Sequence, residues 1–189
     1  RNTAPCIAWA ANHIYALDPE ASMIVTPSDH LITRELEFIN SIDRGFSFVE
    51  NNDALLTLGI KPTRPETGYG YIQVDNQVRL KQKDVYKVKT FTEKPNLELA
   101  RSFVESGEFF WNSGIFIWKV DAIMENFERL LPDMHQMFAS IAPSYGTPQE
   151  QQSIERIYPE CRNISIDFGI MEKAGDVYAV SYTHLRAHE

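Results

Sequence analysis

Four short stretches hold residues that could meet a phosphate or a hydroxyl-rich ligand. In SMIVTPSDHLI (22–32) an apolar run ends in Thr-Pro-Ser and then sets a carboxylate, Asp29, beside an imidazole, His30. A carboxylate after a strand either caps the next helix by accepting its N–H groups or holds magnesium. That ion takes one or two carboxylates and completes its shell with water and phosphate oxygens. In RPETGYGYI (64–72) Gly68 and Gly70 flank Tyr69. Glycines there serve a plain turn, or let backbone approach a ligand closely and reach positive φ. In FTEKP (91–95) Glu93 can accept hydroxyl protons and Lys94 is a point charge suited to phosphate. Within a strand these two would face opposite ways; released at a strand end before Pro95, both can face one ligand. The alternative is a solvated charge pair at a turn. In FFWNSGIFIW (109–118) Asn112 can donate and accept, which suits a sugar diol, while the aromatics around it read as core. The stretches contain neither a Gly-x-Gly-x-x-Gly fingerprint nor a P-loop.

The elements that must position these residues follow from apolar periodicity. TAPCIAWAANHIYALD carries Ile7, Ala11, Ile14 and Tyr15 at helical spacing, with Thr3 available as its cap. SMIVTP and ALLTLGI read as short buried strands. ELEFINSIDRGFSFVENN reads as a helix with Leu36, Ile39, Phe46 and Val49 on or near its apolar face. DVYKVKTFT alternates as a strand with one wetter face, and NLELARSFVES is a helix closed by Gly107. A strand over WNSGIFIWKV precedes helices near 121–131, 134–141 and 149–158. A short helix and a strand follow in NISIDFGIMEKAGDVYAV. Strands alternating with helices predict an α/β domain with a mostly parallel sheet. Ligands in such sheets bind beyond the carboxyl ends of strands, so the four stretches are expected along one edge.

The composition is that of an ordinary globular chain. Of 189 residues, 43% are apolar and 23% charged, and the net charge of −8 removes any general basic footprint for nucleic acid. Phosphates would have to be met by a local pocket. Two cysteines far apart, Cys6 and Cys161, are expected as free thiols in a reducing cytosol. The sequence has no run near the ~20 apolar residues of a membrane span and no signal-peptide pattern. A cytoplasmic location is therefore expected, with no nucleic-acid or membrane partner, and a homo-oligomer is left open. The sequence begins at Arg1 rather than at a methionine, which fits a piece of something longer.

Taken in order, NTAP, IVTPSDHLI, IKPTRPETGYGYI, FTEKPNLELA, FFWNSGIFIWK and SIDFGIMEK resemble the sugar-phosphate nucleotidylyltransferases. The resemblance covers residues 1 to about 180 and is closest to the branch that transfers a guanylyl group to mannose 1-phosphate. It implies a three-layer α/β/α, Rossmann-like nucleotidyltransferase fold with a mixed, mostly parallel sheet, incomplete because the first strand is missing. It implies Mg²⁺ bound by Asp29, and a backbone turn at Gly68 and Gly70 that meets the sugar. Glu93 would accept from sugar hydroxyls, Lys94 would contact the sugar phosphate, and Asn112 would read a second hydroxyl. Asn2 and Thr3 would line the base side of the nucleotide. Asp167 matches a family motif without a clear assignment between support and ligand contact. The implied partners are GTP and α-D-mannose 1-phosphate, giving GDP-mannose and pyrophosphate. The phosphate monoester is already ionised, so His30 is given no role as a base.

The sequence departs from the family pattern at both ends. The opening Gly-rich segment, G-x-G-x-R-L-W-P with a following Pro-Lys pair, has no counterpart. After GDVYAV the family runs on to Gly-Trp-Ser-Asp, whose Asp is the second metal ligand, whereas this sequence reads SYTHLRAHE. The expectation is a partial catalytic domain over 1–180 and an unassigned, artefactual tail over 181–189, with the chain as written inactive. His184 and His188 have helical metal spacing but lack the Glu of a His-Glu-x-x-His site. The competing readings are a non-catalytic sugar-nucleotide-binding relative, an enzyme for another hexose 1-phosphate, and a two-domain enzyme with an isomerase half.

Overall fold

The computed structural model describes residues 2–78, 80 and 82–182. Along the chain run α1 (Thr3–Leu17), β1 (Ser22–Val25), α2 (Glu35–Val49), β2 (Leu55–Ile60), β3 (Tyr71–Asp75), β4 (Val85–Thr92) and α3 (Leu97–Ser106). They are followed by β5 (Phe109–Lys119), α4 (Val120–Leu130), α5 (Pro132–Ala139), α6 (Glu150–Ile157), a π-helical turn at Asp167–Met171 and β6 (Val177–Tyr182). The chain divides into two compact units, one of Arg1–Met23 with Trp118–Gly175, the other of Ile24–Ile117 with the residues from Asp176 on. Among the described residues no helix is long and apolar enough to cross a membrane.

The second unit is built on the sheet, whose strand order is β1-β5-β2-β6-β4-β3, with β3 also pairing to the start of β5. The sheet is mixed, as the family resemblance implies. β2 and β6 run parallel, while β3–β4, β3–β5 and β4–β6 are antiparallel, a larger antiparallel share than the strand–helix alternation suggested. Side chains alternate between its faces. One face carries Leu56, Leu58, Tyr71, Trp111 and Val180, covered by Phe48 and Val49 of α2 and Ala100 of α3. The other carries Ile72, Val74 and Ala179 with Tyr86, Val88, Phe91 and Phe110. The aromatics around Asn112 are thus core, as read. β5 can serve both β3 and the strands beyond because Gly114 stands at φ +70° in its middle, a left-handed conformation that bends the strand and that only glycine takes without strain.

The first unit packs α1 against α4 and α5. Ala4, Ile7, Ala8 and Ala11 form the buried stripe of α1, and the small residues let α4 and α5 bring in Ile123, Phe127, Met134 and Phe138. One carboxylate staples this unit. Glu150 accepts from Trp9 Nε1–H at 2.9 Å and from the Gly146 N–H at 2.9 Å, and it pairs with His13 Nδ1 at 2.8 Å. Burial raises its pKa most, but the bonds from Trp9, Gly146 and His13 together outweigh that and hold the carboxyl below its ordinary value.

Three readings of the sequence need correction. The cap of α1 is Asn2, whose Oδ1 accepts the Thr3 N–H at 2.9 Å; Thr3 is already helical. On α2, Leu36 and Ile39 are exposed (79% and 51%), and the buried face is Ser41, Gly45, Phe48 and Val49. Ser41 can be buried because its hydroxyl donates to the Glu37 carbonyl, and Gly45 because the side chain of Ile117 fills the space a Cβ would need. Finally β6 runs through Tyr182, pairing Ser181 with Gly59 and Tyr182 with Ile60, two residues into the expected tail. The rest of the tail, with His184 and His188, lies outside the described residues.

Candidate functional site

The loop from Lys61 to Gly70 is tied down before it delivers Gly70 to the sheet. The Tyr71 hydroxyl donates to the Glu66 carbonyl at 2.8 Å and accepts the Glu66 N–H at 2.9 Å. The Glu66 carboxylate in turn accepts from the Thr67 and Gly68 N–H groups and from Arg64 Nε–H at 3.2 Å. The Gly68 N–H and then the Arg64 guanidinium hold that carboxyl below its ordinary pKa. Neither Gly68 nor Gly70 has positive φ, so left-handed backbone is not the reason for glycine at either position.

The reason at Gly70 is what stands beside it. Tyr71 pairs with Thr92 on one side and with Trp111 on the other. Continuing both registers by one residue puts Gly70 between Glu93 and Asn112. The contacts agree: the Asn112 N–H donates to the Gly70 carbonyl at 2.8 Å, and a Cβ at Gly70 would lie 2.7 Å from Glu93 Oε2 and 3.6 Å from Asn112 Cβ. Residues on one rung project to the same face. By the alternation of β3, β4 and β5 that is the face of Ile72, Phe91 and Phe110. A carboxylate and a carboxamide therefore flank a floor without a side chain, their backbones separated by two strand spacings, roughly 9–10 Å.

Glu93 and Lys94 come off the end of β4 together. Lys94 has φ +44°, a left-handed value costly for a residue with a side chain and of the kind that clusters at functional sites. That turn, ahead of Pro95, leaves Lys94 Nζ 3.7 Å from Glu93 Oε1, with both side chains more than half exposed. An exposed pair at this distance is weak. The ammonium can be drawn to an anion at little cost.

Asn112 is held more firmly. Its Oδ1 accepts from Thr57 Oγ1–H at 3.1 Å and from the Gly114 N–H at 3.2 Å. Two residues on, Gly114 faces Pro27, whose Cγ is 3.5 Å from where a Cβ would be. The 26–30 segment that carries Asp29 thus leaves β1 beside the bend of β5. Asp29 lies in a turn and is exposed. It does not cap α2, which begins only at Glu35 behind Arg34 with no side-chain cap. Its carboxylate has no hydrogen bond or ion pair with another described residue. Among the described residues no three His, Cys, Asp or Glu side chains converge on one metal position. An open carboxylate of this kind fits magnesium, which keeps most of its shell as water and phosphate oxygens. His30 turns Nδ1 into the interior, without a partner among the described residues.

The structure thus brings Gly70, Glu93, Lys94 and Asn112 together, with Gly68 two residues upstream and the Asp29 loop against the bend of β5. Asn2, Thr3 and Asp167 belong to the other unit and form a group of their own. The Thr3 hydroxyl accepts the Ile166 N–H at 2.8 Å, and the Ala4 N–H donates to the Ile164 carbonyl. Asp167 opens the π-helical turn, a rare geometry often found at functional sites. Thr57 escaped the reading of the sequence. Its signal was the single hydroxyl in the otherwise apolar run LLTLGI.

The nucleotidyl transferase family matches residues 1–152. A mannose-1-phosphate guanylyltransferase of Escherichia coli is 36% identical over 182 residues, 93% of this chain and 39% of the relative. A protein from Thermus thermophilus described as a mannose-1-phosphate geranyltransferase superposes with a TM-score of 0.82 at 29% identity, over 98% of this chain and 51% of that one. One from Helicobacter pylori described as a mannose-6-phosphate isomerase superposes with a TM-score of 0.76 at 28% identity, over 95% of this chain and 68% of that one. The chain therefore spans about two fifths of the length of the curated relatives it matches.

Proposed function

This chain belongs to the nucleotidyl transferase family, and from that premise we propose that it carries the sugar-phosphate half of a site that moves GMP from GTP to α-D-mannose 1-phosphate. The observation that carries this reading is the Gly70 rung, with Glu93 and Asn112 on either side of a floor that a single methyl group would obstruct. Glu93, ionised, accepts protons from ring hydroxyls; Asn112 offers a second polar contact across the floor. A pyranose ring with its hydroxyls fills that span.

Lys94 beside Glu93 provides the positive charge for the phosphate of the sugar. An oxygen of that phosphate attacks the α-phosphorus of GTP in line, a new P–O bond forms, and the bond to the β-phosphate bridging oxygen breaks to release pyrophosphate. The nucleophile is a phosphate already ionised near neutral pH. The residues then need only to position it and offset charge, and no proton has to be taken by His30. Asp29 is the residue that would hold magnesium, and the ion when bound supplies charge neutralisation at the nucleotide phosphates. Asn2 and Thr3 are assigned to the base side of the nucleotide by the family resemblance alone.

The test is pyrophosphate release by the complete gene product across four nucleoside triphosphates and a panel of hexose 1-phosphates, with mannose 6-phosphate isomerisation as a control. GTP with mannose 1-phosphate is expected to give the highest kcat/KM. A clear preference for another hexose 1-phosphate would replace the sugar assignment, and activity confined to the isomerase assay would remove the reading altogether.

A further inference from the structure

Glu66 holds the segment that leads into Gly70 through both its peptide and its side chain. Tyr71 is fully buried, and its hydroxyl donates to the Glu66 carbonyl at 2.8 Å and accepts the Glu66 N–H at 2.9 Å. These roles cannot be exchanged, because a carbonyl only accepts and an N–H only donates. The Glu66 carboxylate closes over the next two residues. Its Oε1 accepts the Thr67 N–H at 3.1 Å and the Gly68 N–H at 3.4 Å, and its Oε2 accepts Arg64 Nε–H at 3.2 Å. Tyr69 sets its ring edge-on to Trp111, 5.2 Å between centroids, on the sheet face that also takes Tyr71. With both neighbours turned to that face, Gly70 is left facing the other, beside Glu93 and Asn112. Thr67 and Gly68 are exposed, and ordering such backbone costs about 1–2 kcal/mol per residue.

We propose, resting on the hexose 1-phosphate reading of this site, that Glu66 is a positioning residue whose clasp keeps the Thr67–Gly70 segment in the sugar-binding arrangement before the ligand arrives. A floor that is ordered only part of the time binds its ligand more weakly, in proportion to the fraction of the time it is in the competent form. Once the sugar is bound the arrangement is the same with or without the clasp. Glu66 therefore acts on KM for the sugar phosphate and leaves kcat alone. It does so through Gly68 and Gly70, not by contact with the reacting atoms.

The experiment uses Glu66→Ala and Glu66→Gln in the complete gene product. Alanine removes every side-chain bond of the clasp; glutamine keeps an acceptor oxygen for the Thr67 and Gly68 N–H groups. Alanine is expected to raise KM for mannose 1-phosphate about five- to tenfold, in line with the loss of one hydrogen bond to a charged group. Its kcat and its KM for GTP should stay within about twofold of the parent, and glutamine should stay within about twofold throughout. An unchanged or lowered KM in the alanine variant, or glutamine as impaired as alanine, would overturn the proposal. Amide hydrogen exchange without ligand gives a second readout: residues 67–70 should exchange faster in Glu66→Ala while β2 stays as in the parent. Unchanged exchange over 67–70, or faster exchange in β2 as well, would overturn it too. If the complete protein turns over no hexose 1-phosphate, it is the function that fails, and the exchange measurement alone decides the positioning claim.

Discussion

Gly70→Ala separates the site from the fold. Gly70 has no positive φ, so alanine enters its backbone without strain. A slightly stiffer unfolded chain would even favour the folded state by a few tenths of a kcal/mol to about 1 kcal/mol. The added Cβ, however, would stand 2.7 Å from Glu93 Oε2. An ordinary carbon–oxygen contact needs roughly 3.4 Å, so the carboxylate must retreat by about 0.7 Å. Glu93 can do so cheaply, because its side chain is 54% exposed. The retreat spoils a hydrogen bond from a sugar hydroxyl to a charged group, worth about 1.5–3 kcal/mol. At about 1.4 kcal/mol per decade that is a loss of roughly 10- to 150-fold in kcat/KM for mannose 1-phosphate. Tm should move by less than about 4 °C. Steady-state kinetics varying each substrate in turn, with differential scanning fluorimetry, reads both quantities. A variant that folds normally and keeps kcat/KM for the sugar phosphate within threefold would refute the assignment of the Gly70 rung as its binding floor.

Asp29→Asn should cut turnover by at least two orders of magnitude while leaving Tm within about 2 °C, since the carboxylate supports no bond to another described residue; a large loss of Tm would assign Asp29 to structure instead. Glu150→Gln weakens the staple among Trp9, His13 and Gly146 and should destabilise the chain by about 1–3 kcal/mol at neutral pH. The folded-state pKa of Glu150 is depressed below its ordinary 4.5, so its contribution is present above 4.5 and is lost as pH falls through the lower folded value. The gap between the parent and Glu150→Gln in urea melts should therefore close below about pH 4.5, and a gap that widened with acidity would contradict the assignment. Gly107→Ala, at φ +69° with nothing within 4 Å of the new methyl, should cost about 1 kcal/mol from backbone alone, and no loss in chemical melts would contradict the left-handed cap of α3.

Much of this was legible in the sequence because local rules and tertiary packing agree. The helix α1 with its buried Ile7 and Ala11, the apolar run of β2 and the Gly107 end of α3 follow from short-range chemistry, whereas Tyr15, read onto the same stripe of α1, is exposed. The face of α2 did not, because its sequence holds two competing apolar sets. Leu36 and Ile39 belong to the set that is left outside, while Ser41 and Gly45 are buried by a hydroxyl bond and a close approach that hydrophobicity does not encode. Asp29 looked like a cap because a turn and a one-residue bridge at Leu31 stand between it and α2, and neither has a sequence mark. At the site, wording supplied the residue types, but their arrangement depends on registers of β3 with β4 and β5. The antiparallel return that creates the Gly70 rung is a non-local pairing, and so is the bond from Thr57 to Asn112, which are 55 positions apart.

The central claim is that a sugar sits on the floor of Gly70 between Glu93 and Asn112, and a crystal structure of the complete gene product with GDP-mannose tests it most directly. The account predicts ring hydroxyls within hydrogen-bond distance of a Glu93 carboxylate oxygen and of the Asn112 side chain, with the ring over Gly70. A mannose ring bound away from this rung, with Glu93 and Asn112 both facing solvent, would contradict it.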